Sequence, residues 1–244
     1  MARIRHLNKA PIVEAVIDIR VKLQPDFDVQ NLALLPKEIS DQYPSCEPRK
    51  LISGSLGIKD GKTINTLEDK GIHGYLCKTS DDKNIVQFKK DGFTFSRLTP
   101  YPKWEDIIIE TKRLWEKYRS VTSPIIVDRV ATRFINRIDL LIPVDLDKYF
   151  VAPPKLPKTL PQGINEFFNR VVVSENELTA NIIQTTTQGT KPGYGSIILD
   201  IDTFSEQVGG IKEEDIWRIL GRLRVLKNRI FFGMLKEEMV KELK

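Results

Sequence analysis

The stretch VDRVATRFINRIDLLIP, Val127 to Pro143, constrains the fold more than any other, because it keeps a two-residue alternation over its whole length. One parity reads Val130, Thr132, Phe134, Asn136, Ile138, Leu140 and Ile142; the other reads Arg129, Ala131, Arg133, Ile135, Arg137, Asp139 and Leu141. Successive side chains of a strand point to opposite faces, so these sets describe one long strand with two unlike faces. The first face is apolar and suits a helix layer. The second carries three arginines, which need water, carboxylates or a phosphate chain. Asn136, on the apolar parity, reads as a hydrogen-bonded buried amide.

A second alternating segment, Pro11 to Val21, sets Val13, Ala15, Ile17, Ile19 and Val21 against Glu14 and Asp18. A weaker helical pattern follows from Asp26 to Ser40, broken at Pro36. Strands are predicted at Lys50–Ile58, Gly74–Thr79, Asn84–Phe88 and Phe93–Leu98, with Asp60-Gly61 and Asp91-Gly92 supplying turns. Trp104, Ile107, Ile108, Thr111, Leu114, Trp115 and Tyr118 then recur at helical spacing.

The same order returns after the long strand. A short helix at Asp145–Phe150 and a proline-rich link lead to strands near Asn169–Ser174, Leu178–Thr187 and Gly195–Phe204. A helix from Glu213 to about Phe232, capped by Gly233, closes the series. We expect an α+β protein of two similar β-α-antiparallel-meander-α halves, residues 1–123 and 124–244, forming a curved sheet backed by two long helices. By analogy the layout is TATA-binding-protein-like or, per half, helix-grip-like, which fixes no function.

A net charge of +5 on 244 residues is a mild basic excess, compatible with nucleic acid, an acidic protein or neither. The two cysteines, Cys46 and Cys77, and two histidines, His6 and His73, have no metal-motif spacing, and we expect reduced thiols in a cytoplasmic protein. The N-terminus reads as a strand and not a signal peptide, since Glu14 and Asp18 interrupt its apolar run. No apolar run is long enough for a membrane helix.

Taken in order, APIVEAVIDIRV, FSRLTPYPKWED, LWEKY, RFINRIDLLIP, DLDKYF and RIFFGMLKEEM resemble the pattern of a sporadically distributed, uncharacterised prokaryotic protein family of about this length. The resemblance runs from Pro11 nearly to the C-terminus. It implies genes of mobile or defence-associated character and no settled activity. Lys227 stands where the family's pattern has a histidine.

Two groups of cations are candidate nucleic-acid contacts. Arg129, Arg133 and Arg137 would track a phosphate backbone unless Glu14 and Asp18 neutralise them. Lys89, Lys90, Arg97 and Lys103 flank one hairpin, beside Phe93, Phe95 and Tyr101, which would either stack bases or belong to the core. Without a recognition motif, such binding would be directed at the backbone and indifferent to base sequence. The loop Gln188–Ser196 is glycine-rich but lacks phosphate-loop spacing, so it reads as a hairpin connection. Familiar nucleophile and zinc motifs are absent from the sequence, and no catalytic residue, resident metal or cofactor is assigned. Asp200 and Asp202, on one strand face, would be the ligands if Mg²⁺ chemistry were present. The favoured function is therefore a non-catalytic accessory subunit engaging a protein, nucleic acid or both. A helix-grip ligand pocket and an acid-dependent nuclease or phosphohydrolase are the alternatives.

Overall fold

Two alternating segments lie side by side at the centre of the molecule. Strand β1 (Ile12–Lys22) pairs antiparallel with β6 (Ile126–Leu141), placing Ala15, Ile17 and Ile19 opposite Phe134, Thr132 and Val130. Opposite residues of an antiparallel pair share a face, so the two apolar parities merge into one surface. The computed structural model describes residues 7–59 and 62–244; the Asp60-Gly61 turn and His6 lie outside them.

The remaining strands are β2 (Ser45–Lys59), β3 (Lys62–Lys78), β4 (Asn84–Lys89), β5 (Gly92–Leu98), β7 (Phe168–Glu175), β8 (Leu178–Gln188) and β9 (Tyr194–Ile211). Together they form a nine-stranded antiparallel sheet in the order β2-β3-β4-β5-β1-β6-β9-β8-β7. The helices are α1 (Leu34–Glu38), α2 (Trp104–Thr122), α3 (Leu146–Tyr149), α4 (Ile216–Met234) and α5 (Glu237–Glu242). The protein is thus α+β, as its periodicities predict.

Both long helices cover the apolar face. Trp115 and Tyr118 of α2 meet the Phe93 ring at centroid distances of 6.0 and 6.1 Å. On the other side of the centre, Thr203 of β9 donates to the Leu223 carbonyl of α4 at 3.4 Å. Arg224 of α4 and Glu105 of α2 join the helices with a 2.9 Å ion pair. Phe93, Phe95, Trp115, Tyr118, Phe134, Leu220 and Leu223 are all buried in one cluster. Two of the three aromatics proposed as a stacking platform, Phe93 and Phe95, are therefore core.

Several boundaries differ from the sequence reading. β3 begins at Lys62, well before Gly74, because its first part pairs with β2 while β4 meets only Gly74–Lys78. Lys62 to His73, KTINTLEDKGIH, is mostly polar and carries no sustained period-two apolar signal. The segment expected to break at Pro36 instead divides before Leu34 into a 3₁₀ turn (Val29–Ala33) and short α1, and Pro36 lies inside the first turn of α1, where its missing N–H costs no helical bond. Helix α4 continues past Gly233 and ends with Leu235 in extended conformation, so Gly233 is not its cap.

Lys227 of α4 is buried on the sheet, with Nζ 3.8 Å from the Phe134 ring centroid. Burial, aided by Arg224, pulls its ammonium down to about 7. The folded group releases its proton at lower pH than the unfolded one. Stability should therefore rise between about pH 7 and the ordinary value of 10.5, and be lost as pH falls through 7. Lys227→Met should unfold at higher denaturant concentration than wild type at pH 7, with the difference shrinking by pH 9.5, as followed by urea melts.

Candidate interaction surface on the open sheet face

The second parity of each strand faces away from the helices and forms a charged surface. At its centre is Arg129, whose side chain is only 10% exposed. The strand register places it opposite Arg20 of β1 and Glu206 of β9. Its guanidinium donates to Asp18 at 3.1 Å and to Asp202 at 3.1 Å, approaches Glu206 at 3.3 Å, and lies 4.6 Å from the Phe204 ring centroid. Two neighbouring strands, β1 and β9, thus converge on one planar cation of β6, using the forked geometry that lysine lacks.

Arg133 forks onto Asp200, with Nε–Oδ1 at 2.8 Å and Nη2–Oδ2 at 2.5 Å. Arg137 donates to the Gln188 carbonyl at 2.6 Å and to Ser196 at 3.1 Å, and lies 3.4 Å from Asp139. The pairing expected between the β1 acids and the β6 arginines is present through Asp18. The dominant partners, Asp200, Asp202 and Glu206, come instead from β9. These acids alternate in ILDIDTFSE, but only the fold reveals that β9 pairs with the arginine strand.

Two carboxylates on this face titrate in opposite directions. Burial outweighs the attraction of Arg129 and Arg133 and raises Asp202 above the ordinary 3.8. For Asp139, burial opposes ionisation, yet hydrogen bonds from Ser196 and Thr190, with Arg137, overcome it and hold the carboxyl low. Asn136, on the helix side, donates to the Leu199 carbonyl at 2.9 Å and is a satisfied buried amide.

The second cation group is not gathered into one patch. Lys89 lies on the open face with Nζ 3.6 Å from Asp18, and Lys90 is exposed at the adjoining turn. Arg97 sits at the other end of β5, donating to Asn84 Oδ1 at 3.1 Å and the Pro100 carbonyl at 3.2 Å. Five residues of strand separate it from Gly92, the register partner of Lys89, or about 17 Å at ~3.3 Å per residue. Exposed Lys103 immediately precedes α2. A single clamp made from these four cations does not form.

Asp200 and Asp202 are committed to arginines. Among the described residues, no group of three or more His, Cys, Asp or Glu side chains is arranged to hold a metal ion. His73 Nε2 lies 3.0 Å from Asp91 Oδ1 at the β4–β5 turn. Cys46 and Cys77, expected as thiols, face each other in the β2–β3 register with Cα atoms 4.1 Å apart and form a disulfide. Their sequence separation of 31 concealed that pairing.

A cleft of about 880 Å³ lies where the proline-rich link crosses the sheet end, between Leu140, Ile142, Leu156, Ile164, Ile197 and Gln188. The expected helix-grip cavity would lie between sheet and long helix; this cleft does not. Its floor includes the β8–β9 connection, where Gly189 is required because a Cβ there would lie 2.1 Å from the Tyr194 carbonyl oxygen. Gln188–Ser196 is accordingly a hairpin connection, as its sequence predicts. No helix among the described residues is long and apolar enough to cross a membrane.

No family model and no curated protein matches the chain. Among solved structures, the PH1819 protein from Pyrococcus horikoshii OT3 aligns over 92% of this chain and 80% of that one, at 10% identity and a TM-score of 0.19. A likeness at that score carries no argument for fold or function.

Removing Arg129 would leave three carboxylates facing one another. Arg129→Ala should lower unfolding free energy by about 3–5 kcal/mol in urea melts, the usual cost of breaking a buried ionic cluster. The raised Asp202 carboxyl has the opposite sign: its contribution is full below pH 3.8 and is lost as pH rises through its folded value. Asp202→Asn, which cannot ionise, should remove that loss and flatten the stability profile above pH 3.8.

Proposed function

We propose that this protein is a non-catalytic accessory subunit whose open sheet face receives a partner protein. The observation that carries this reading is the compensation of Arg129, Arg133 and Arg137 by Asp18, Asp200, Asp202, Glu206 and Asp139. A polyanion gains affinity by exchanging counterions for unpaired cations, and these cations already have partners. A surface presenting both signs at fixed positions instead favours a protein of complementary pattern, where charge selects the partner and its register.

The layout of the sheet supports a related reading. β1 and β6 each begin a series of short helix, antiparallel meander and long helix, and they meet at the centre of the strand order. We read the halves as copies of one unit, joined as a TATA-binding-protein-like saddle. The first carries an additional edge strand. The cleft beneath the proline-rich link favours a small ligand as the second function, since its volume lies within the roughly 300–1,000 Å³ usual for ligand sites. The acid-dependent hydrolase reading loses the two ligands proposed for it, because Asp200 and Asp202 serve arginines.

Tagged protein retrieved from its own cells should carry a defined protein that resists nuclease treatment. Arg20→Gln removes an exposed charge beside the row while leaving every partner of Arg129, Arg133 and Arg137 in place, and should reduce recovery of that protein severalfold with little change in melting temperature. Bound material released by nuclease, with affinity falling by about 0.7–0.9 log units per contact for each log unit of salt, would overturn the proposal in favour of nucleic acid.

A further inference from the structure

The sheet ends in two unlike edges. β2 carries Pro48, Arg49 and Lys50, residue types that discourage strand addition. At the other edge, all eight residues of β7, FNRVVVSE, are exposed. Phe168, Val171, Val172 and Val173 retain 68%, 45%, 53% and 42% of their accessibility, and the strand contains neither proline nor lysine. Such an edge is a template for another strand.

The register identifies which backbone groups are offered. Asn176 and Glu177 form a two-residue connection, making Glu175 and Leu178 the closing pair, whose backbone groups bond to each other. Along the same ladder, Thr186 N donates to the Phe167 carbonyl at 3.3 Å. Odd-numbered positions therefore direct their N–H and C=O groups to β8. Those of Arg170, Val172 and Ser174 point outward, where no described strand pairs with them.

We propose that β7 pairs antiparallel with β7 of a second copy, about a twofold axis through Val172, continuing the sheet from one molecule into the next. In this register Val172 meets its counterpart, Val171 meets Val173, Arg170 meets Ser174, and Asn169 meets Glu175. Apolar residues face apolar ones and polar ends face polar ends: Arg170, already held by Asn181 at 2.7 Å, meets the small Ser174, and Asn169 meets Glu175, whose charge is paired with Arg229. A shift of two residues in one direction sets Arg170 against Val172 and Asn169 against Val173. The opposite shift sets Val172 against Ser174 and Val171 against Glu175. A shift of one residue would place unlike faces together. The polarity of the strand selects one self-pairing.

On the helix side, Val173 borders an apolar groove of about 320 Å³ with Ile182, Leu226, Ile230 and Met234, extending the apolar surface beyond the strand. A single strand pair remains small beside the ~1,200–2,000 Å² of a standard interface, so dissociation is expected in the micromolar range.

Sedimentation of the full chain from about 1 to 500 µM brackets that range. Mass should rise with concentration from 28.0 kDa towards a dimer. Val172→Lys, which places like charges on the axis, and Val172→Pro, which removes an outward donor without touching the β8 ladder, should each weaken association at least tenfold. Hydrogen exchange on the wild type tests the register without a variant. The amides of Arg170, Val172 and Ser174 should gain protection with concentration, while those of Val171 and Val173 should not change. Constant monomer mass throughout, association unaffected by either variant, or concentration-dependent protection located elsewhere would overturn the proposal.

Discussion

The pairing of β1 with β6 is the constraint on which the rest of the molecule depends. Once Ile17 lies opposite Thr132 and Ile19 opposite Val130, every further antiparallel neighbour must keep apolar residues on the same side. β5 then presents Phe93 and Phe95 to α2, and β9 presents Ile201 and Thr203 to α4. The charged parities accumulate on the opposite face without a choice. A shift of one residue between the central strands would send Arg129 and Arg133 into the helix layer, so the sheet has strong reason to hold this register.

The same register brings the arginines of one strand against the acids of another. A guanidinium in a half-buried sheet face needs acceptors in its own plane, and Asp18, Asp202 and Glu206 supply them to Arg129 from both neighbouring strands. The arrangement carries strain of an electrostatic kind. Partial burial raises Asp202 above the ordinary carboxylate range despite two arginines, while hydroxyl donors hold Asp139 below it. The face is therefore mixed in sign with its cations already paired, which suits recognition by charge pattern better than the capture of a polyanion.

Much of the fold was legible in the sequence because periodicity reports burial. The alternation of Val127–Pro143, the helical spacing of Trp104 to Tyr118 and the punctuation by Asp91-Gly92 correspond to β6, α2 and the β4–β5 turn. The first half of β3 was not legible because it pairs with β2 alone. The disulfide was not legible because Cys46 and Cys77 become neighbours only through that pairing. The site was half legible: the arginine row and Asp18 were visible, but the role of β9 depended on strand order. Lys89 and Arg97, adjacent to one hairpin in sequence, separate along β5 because sequence proximity says nothing about which end of a strand a side chain occupies.

A double-mutant cycle between Asp18 and Arg129 tests most directly whether the arginine row is internally neutralised. The two residues lie 111 apart in sequence and 3.1 Å apart across the central strand pair, so their coupling reports the folded charge network and little else. Unfolding free energies of wild type, Asp18→Asn, Arg129→Met and the double variant should give a coupling of about 1–3 kcal/mol. Effects that add to within about 0.5 kcal/mol would contradict the account, because an uncoupled Arg129 would be available to phosphate.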